Sequence, residues 1–378
     1  MTKLSLRGAR PQGGGAPTVQ LPQSPYDVPY DVMVFIGRFR PLHLGHQRVV
    51  DRALALGRTV VMLVGSANAS RSLRNAFSHD EVVAMVAAVY PQEVADGRLV
   101  LLPLDDCLYN DALWLERTQA TVRRILDRMP GNAPQVTVSG WNDFRIALIG
   151  CRKDHTSYYL RLFPTWASEG VDFLTPINAT DIRTAMFERD TVPESQVPAA
   201  VADWLSGWMT TDAFRALQRE YRFIKDYKAK WAGAPYAPSF NAADAVVVQS
   251  GHVLLVRRRA MPGEGLLALP GGFIRPTESA FDAAVRELKE ETRLRIDKED
   301  LKRSLVAKDL FDDPNRSMRG RTYSHAFYFK LADQVSLPKV RGGDDAAHAL
   351  WVPLGLIDPR DMFEDHWHII NAMVGGLP

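Results

Sequence analysis

The sequence predicts two α/β domains on one chain, the first built on a parallel sheet and the second opening on antiparallel strands. Three observations carry this expectation. The 378 residues exceed what one hydrophobic core usually organises. From Asp31 onward, short apolar runs alternate with helical patterns, as in a βαβ chain. After the proline-broken run APYAPSF (234–240), the pattern changes to strand-like alternation in DAVVVQSGHVLLVRR.

The elements follow in order. Residues 1–24 are rich in Gly, Pro and Gln and lack the apolar stretch of a secretory signal, so a disordered tail is expected. DVMVFIG reads as a strand, HQRVVDRALAL as a helix stopped by Gly57, and TVVMLVG as a second buried strand. Ser78 and Glu81 form a capping box before EVVAMVAAVY. Further strands are expected at 98–104, 135–139, 145–150 and 171–176, with a helix around 111–128. Phe214, Leu217, Tyr221 and Ile224 share one stripe, which predicts a linking helix within 209–236. The first domain is therefore placed at 25–208 and the second at 237–378.

Charge excludes some functions. With 46 Lys and Arg against 44 Asp and Glu, the chain has no long-range field to gather nucleic acid or a membrane surface. No apolar run approaches the roughly 20 residues that cross a bilayer. Cys107 and Cys151 are too few for a disulfide framework or a Cys-rich zinc site, which fits a reducing, cytoplasmic compartment. A homo-oligomer is left open.

Between the first strand and first helix lies Gly37-Arg38-Phe39-Arg40-Pro41-Leu42-His43-Leu44-Gly45-His46. In an open parallel sheet this is where ligands bind, and a helix N-terminus offers N–H groups to phosphate. His43 and His46 add donors, and Gly45 permits close backbone approach. A second phosphate site is expected at Ile177-Asn178-Ala179-Thr180-Asp181-Ile182-Arg183, where Arg183 can grip polyphosphate by two parallel hydrogen bonds.

These segments resemble the HxGH and ISTxxR-type signatures of the nucleotidyltransferase superfamily, which implies a Rossmann-like domain. GSANASRSLRNAFSHDE (65–81), LYNDALW (108–114), IGCRKDHTSYYLRLFP (149–164) and NATDIR (178–183) narrow the likeness to archaeal-type nicotinamide mononucleotide adenylyltransferases. The resemblance implies attack by the phosphate of nicotinamide mononucleotide on ATP, with His43, His46 and Arg183 neutralising the developing charge. Gly37, Arg38, Phe39, Gly150, Lys153, Asp154 and Thr180 are expected on the substrates, with Tyr109, Asn110 and Trp114 on the nicotinamide side. Asn178 stands where the superfamily more often has Ser or Thr, which removes a hydroxyl contact there. The segments IGCRKD and LYND tell against phosphopantetheine, a riboflavin nucleotide or a cytidylyl acceptor as the substrate.

The C-terminal half carries GGFIRPTESAFDAAVRELKEETRL, in which Glu287, Glu290 and Glu291 recur at helical spacing on one face. Adjacent carboxylates repel unless a cation sits among them, and oxygen ligands favour Mg²⁺ or Mn²⁺. Arg286 and Glu278 are spaced to pair and fix the preceding loop to the helix. This stretch resembles the Nudix box at every fixed position, Gly272 included, except the last glycine, which is Arg293. A left-handed conformation there costs a non-glycine residue about 1–2 kcal/mol. The resemblance implies an α/β/α domain with a mixed sheet. FDDPNRSMRGRTYSHAFYF (311–329), GGDDAAHALWVPL (342–354) and MFEDHWHII (362–370) are similar to Nudix ADP-ribose pyrophosphatases, which implies metal-dependent cleavage of ADP-ribose to AMP and ribose 5-phosphate. Arg321 is expected on that substrate. Glu291, Glu364 and Asp365 are alternative general bases. The joint order resembles bifunctional adenylyltransferase–Nudix proteins; a Nudix module that only senses nucleotide is the alternative.

Overall fold

The computed structural model describes residues 28–127, 144–151, 162–172, 177–344 and 346–375. The expected tail (1–24), the expected strand at 135–139, and Lys153 and Asp154 lie outside them.

The N-terminal half runs β1 (Tyr30–Gly37), α1 (Leu44–Leu56), β2 (Gly57–Val64), α2 (His79–Val89), α3 (Pro91–Ala95), β3 (Leu99–Pro103), α4 (Asp111–Leu126), β4 (Ile146–Cys151), β5 (Ala167–Val171), α5 (Ala179–Arg189), α6 (Ala199–Trp208) and α7 (Asp212–Ala229). Among the described residues its sheet is parallel, in the order β3-β2-β1-β4-β5. Its central strand is covered on both faces, which is why DVMVFIG is a continuous apolar run. Met33 and Phe35 pack with α1, α2 and α5–α7, whereas Val32 and Val34 face Val122, Ile125 and Leu126 of α4. Strand order reverses at β1, so the carboxyl ends of β1 and β4 border the crevice where such sheets bind ligands.

Of the strand expected at 171–176, residues 173–176 lie outside the described residues; the fifth described strand is Ala167–Val171. ASEGV is a half-exposed edge strand paired only with β4 here, so it carries no apolar alternation to announce it. The stripe of α7 buries Phe214, Leu217 and Ile224 against the first core, after Thr211 caps the helix.

The C-terminal half runs β6 (Ser239–Gln249), β7 (His252–Arg258), β8 (Leu267–Ala268), β9 (Gly271–Phe273), α8 (Ala280–Thr292), α9 (Lys298–Ser304), β10 (Leu305–Phe311), β11 (Arg321–Lys330), β12 (Ala346–Pro353) and α10 (His366–Val374). Strands β6 and β7 form a hairpin turning on Ser250 and Gly251, both left-handed at φ +47° and +72°. Because β6 also pairs in parallel with β11, the sheet is mixed. Helix α8 covers one face through Ala283, Ala284 and Leu288, and α10 the other through Ile369 and Ile370.

Polar contacts join the halves. The Tyr109 hydroxyl donates to Asp365 at 2.7 Å, Arg74 donates to Asn315, and the Gly263 N–H donates to Glu220 of α7 at 3.0 Å. Among the described residues no helix is long and apolar enough to cross a membrane.

Candidate functional site

The first site forms where β1 gives way to α1. His43 is the N-cap of α1 and His46 its third residue, and they cap each other: each Nδ1 accepts the other's backbone N–H at 3.4 Å. With both Nδ1 atoms accepting, a ring proton is left to Nε2. The rings stack at 3.6 Å, and Phe39 stands edge-on to His46 at 5.1 Å. Gly45 suits this packing, because a Cβ would come to 3.0 Å from the His43 ring, which would have to give by a few tenths of an ångström. Gly37 suits it too, since its Cβ would lie 2.7 Å from the Phe39 ring, whose backbone is left-handed at φ +52°.

The two motif segments meet through Arg183, which donates to the Arg40 carbonyl at 2.5 Å, the Leu73 carbonyl at 2.9 Å and Thr180 Oγ1 at 3.3 Å. Asn178 caps α5 by accepting from the Asp181 N–H at 2.8 Å, a structural use in place of the missing hydroxyl. Gly37, Arg38, Arg74, Trp114, Thr180 and Arg183 line one cavity of about 670 Å³. Its cations crowd one another. Burial and the charges of Arg38, Arg74 and Arg40 hold Arg183 down at about 10, and burial with Arg38 does the same to Arg40. Such a cluster suits an anion, which would relieve repulsion already present.

Arg74 and Arg40 are residues that sequence reasoning missed. Arg74 lines the cavity, and Arg40 is buried with its guanidinium on the Gly65 carbonyl and Asn75, both at 3.0 Å. Other expected contacts have other uses. Asn110 caps α4 through the Leu113 N–H at 3.0 Å, Tyr109 turns to Asp365, and Gly150 is a buried β4 residue in register with Gly170.

The second site is a cleft of about 360 Å³ that collects Gly271, Gly272, Arg286, Glu287, Glu290 and Glu291. Ser279 caps α8, which then presents all three glutamates to the cleft. Gly272 leaves room for the Glu287 carboxylate, which a Cβ there would meet at 2.3 Å and push aside. Arg286 grips Glu278 with two hydrogen bonds of 2.6 and 2.9 Å, which hold Glu278 down at about 2. The same guanidinium reaches Glu287 at 2.7 Å and Glu290 at 3.0 Å. Burial pushes Glu287 up, and pushes Glu291 to about 8 despite the Gly271 N–H that it accepts at 3.1 Å. Three glutamates of one helix thus line a cleft in which Arg286 serves two of them, an oxygen donor set that fits a hard divalent cation. Among the described residues, no three acidic, His or Cys side chains already converge as a metal cage.

At the end of α8, Arg293 adopts the left-handed conformation expected of a glycine, with φ +53°. The Arg341 and Gly343 N–H groups take the Thr292 and Glu291 carbonyls at 2.9 and 3.1 Å, so the segment after β11 completes the helix terminus.

Two residues expected at this site have partners within the protein. Arg321 donates to Asp312 and stacks 4.7 Å from the centre of the Tyr323 ring, while Arg319 lines the cleft between Phe273 and Phe363. Asp365 is engaged by Arg316. It is 1% exposed, Arg316 binds both its oxygens at 2.8 and 2.9 Å, and this pairing overrides burial to hold its pKa low. Glu364 borders the cleft, with its pKa raised by burial, 3.8 Å from Arg319. Phe363, Glu364 and Arg316 line both the first cavity and a small pocket of about 60 Å³ that shares Gly271, Gly272, Phe273 and Arg319 with the cleft.

Comparison with known proteins follows the same division. Residues 34–100 match the Cytidylyltransferase-like family and residues 238–373 the NUDIX domain family. A nicotinamide/nicotinic acid mononucleotide adenylyltransferase of Acinetobacter baylyi is 31% identical over 194 residues, covering 51% of this chain and 94% of that protein. An ADP-ribose pyrophosphatase of Methanocaldococcus jannaschii is 35% identical over 130 residues, covering 34% of this chain and 70% of that protein. The crystal structure of a Francisella tularensis bifunctional NMN adenylyltransferase/ADP ribose pyrophosphatase, complexed with AMP and a manganese ion, superposes with a TM-score of 0.81. It is 32% identical, with 91% of this chain and 98% of that chain covered.

Proposed function

Because the chain belongs to the family of bifunctional nicotinamide mononucleotide adenylyltransferases/ADP-ribose pyrophosphatases, we propose that it makes NAD at one site and hydrolyses ADP-ribose at the other. One arrangement at each site supports the two reactions: Arg38, Arg74 and Arg183 crowd together in the first cavity, and Glu287, Glu290 and Glu291 of one helix line the second. In the first reaction the phosphate of nicotinamide mononucleotide attacks the α-phosphorus of ATP and pyrophosphate leaves. Arg38, Arg74 and Arg183 hold the polyphosphate, and the Nε2–H groups of His43 and His46 donate to the oxygens that gain charge. No side chain need form a covalent bond. Trp114 offers a ring face for the nicotinamide.

In the second reaction Glu287, Glu290 and Glu291 would hold Mg²⁺, or Mn²⁺ as in the Francisella relative. When bound, the ion supplies an activated water and neutralises the diphosphate. Arg286 locks the loop before α8 to the helix, Arg319 faces the substrate, and Glu364 or Glu291 takes the proton. The products are AMP and ribose 5-phosphate. A Nudix module that only senses nucleotide has no use for three glutamates in the cleft. We place the two enzymes at 25–208 and 237–378, joined through 209–236, in the cytoplasm; Cys107 and Cys151 form no disulfide.

A product assay tests this reading. Nicotinamide mononucleotide with ATP should yield NAD and pyrophosphate, and ADP-ribose should yield AMP only when Mg²⁺ or Mn²⁺ is present. Absence of NAD, or cleavage of ADP-ribose that persists in chelator, counts against it.

A further inference from the structure

The first cavity is not built by the N-terminal half alone. Arg74, which faces Arg38 and Arg183 there, extends its guanidinium to the loop between β10 and β11. One terminal nitrogen donates to the Asn315 carbonyl at 2.7 Å and the other to Asn315 Oδ1 at 3.2 Å. A single residue of the C-terminal half thus takes both ends of the fork.

The loop that presents Asn315 is itself fixed. The Asn315 N–H donates to Asp313 Oδ1 at 2.7 Å, which turns the backbone locally. The next residue, Arg316, is buried and bound to both oxygens of Asp365, which also accepts from Tyr109 of the N-terminal half. Asn315 therefore stands beside an anchor that ties the two halves together.

We propose that Asn315 is a positioning residue for nucleotidyl transfer: the hydrolase half holds Arg74 in the orientation in which it binds the polyphosphate of ATP. The physical reason is entropic. An arginine side chain carries about 2 kcal/mol of rotamer freedom, and two acceptors that restrict it before ligand arrives remove part of that cost from binding. The effect falls on affinity rather than on the chemical step, because Arg74 grips ATP in the ground state as well as in the transition state.

The inference rests on the adenylyltransferase reading, and the experiment separates the two. In the full-length protein, Asn315→Ala should raise the KM for ATP and weaken ATP binding in calorimetric titration by about three- to tenfold. The kcat for NAD synthesis and the hydrolysis of ADP-ribose should stay within about twofold. Asn315→Gln, which keeps an uncharged amide acceptor, should restore ATP affinity. In an Arg74→Ala background, Asn315→Ala should have no further effect. Unchanged ATP affinity in Asn315→Ala, parallel loss of both activities, or effects that add to those of Arg74→Ala would each overturn the proposal. If the wild type bound ATP and showed this pattern but formed no NAD, the function reading would fail while the role of Asn315 stood.

Discussion

Tyr109→Phe deletes one hydroxyl and leaves the ring against Phe311, where the centroids are 5.0 Å apart. That hydroxyl donates at 2.7 Å to Asp365, a carboxylate 1% exposed whose other partner is Arg316. A hydrogen bond to a charged partner contributes about 1.5–3 kcal/mol, and because Tyr109 is 41% exposed the lower end applies, about 1.5 kcal/mol. Equilibrium urea denaturation of the full chain, followed by tryptophan fluorescence, should show a loss of that size in the first transition. Arg316→Met, which strands the buried Asp365 charge, sets the upper scale at about 3–5 kcal/mol. The KM for nicotinamide mononucleotide should be unchanged in Tyr109→Phe. The reasoning is refuted if stability falls by less than about 0.5 kcal/mol, or if KM rises several-fold with stability intact, because the hydroxyl would then serve the substrate and not the junction.

Three further outcomes are expected. Glu290→Gln should lower ADP-ribose hydrolysis at least a hundredfold and leave NAD synthesis intact, while His46→Ala does the reverse; loss of both activities in either folded variant would break the picture of separate sites. Gly272→Ala drives a methyl into the Glu287 carboxylate, so product assays should find hydrolysis lost and adenylyl transfer kept, and an unimpaired hydrolase would show that the carboxylate moves aside freely. Glu291, held protonated up to about pH 8 against an ordinary 4.5, should make the metal-free fold less stable as pH rises between those values. The unfolded chain ionises there and the folded one does not, so the slope is about 1.4 kcal/mol per pH unit. Glu291→Gln should remove that slope in urea denaturation, and equal slopes in the two proteins would disprove it.

Sequence patterns reported what periodicity and local spacing encode. The glutamate trio and the Glu278–Arg286 pair lie within one helix and its approach, so their geometry follows from 3.6 residues per turn. His43 and His46 likewise cap their own helix. Contacts between distant segments were not legible. LRNAF does not announce that Arg74 joins Arg183, and the run of arginines at 316, 319 and 321 gives no hint which one reaches the cleft. Asp365 reads as a free carboxylate until Arg316 and Tyr109 are brought to it by the packing of one half on the other. Arg293 reads as a fault in the Nudix box. The N–H groups of Arg341 and Gly343, some 50 residues on, supply the missing terminus.

Phe363 and Glu364 belong to two chambers at once. Any substitution at these positions alters the shape of both, so neither reaction can be tuned there by mutation without exposing the other to selection. For the same reason, a compound that displaces the Phe363 ring from one side moves a wall of the opposite chamber as well.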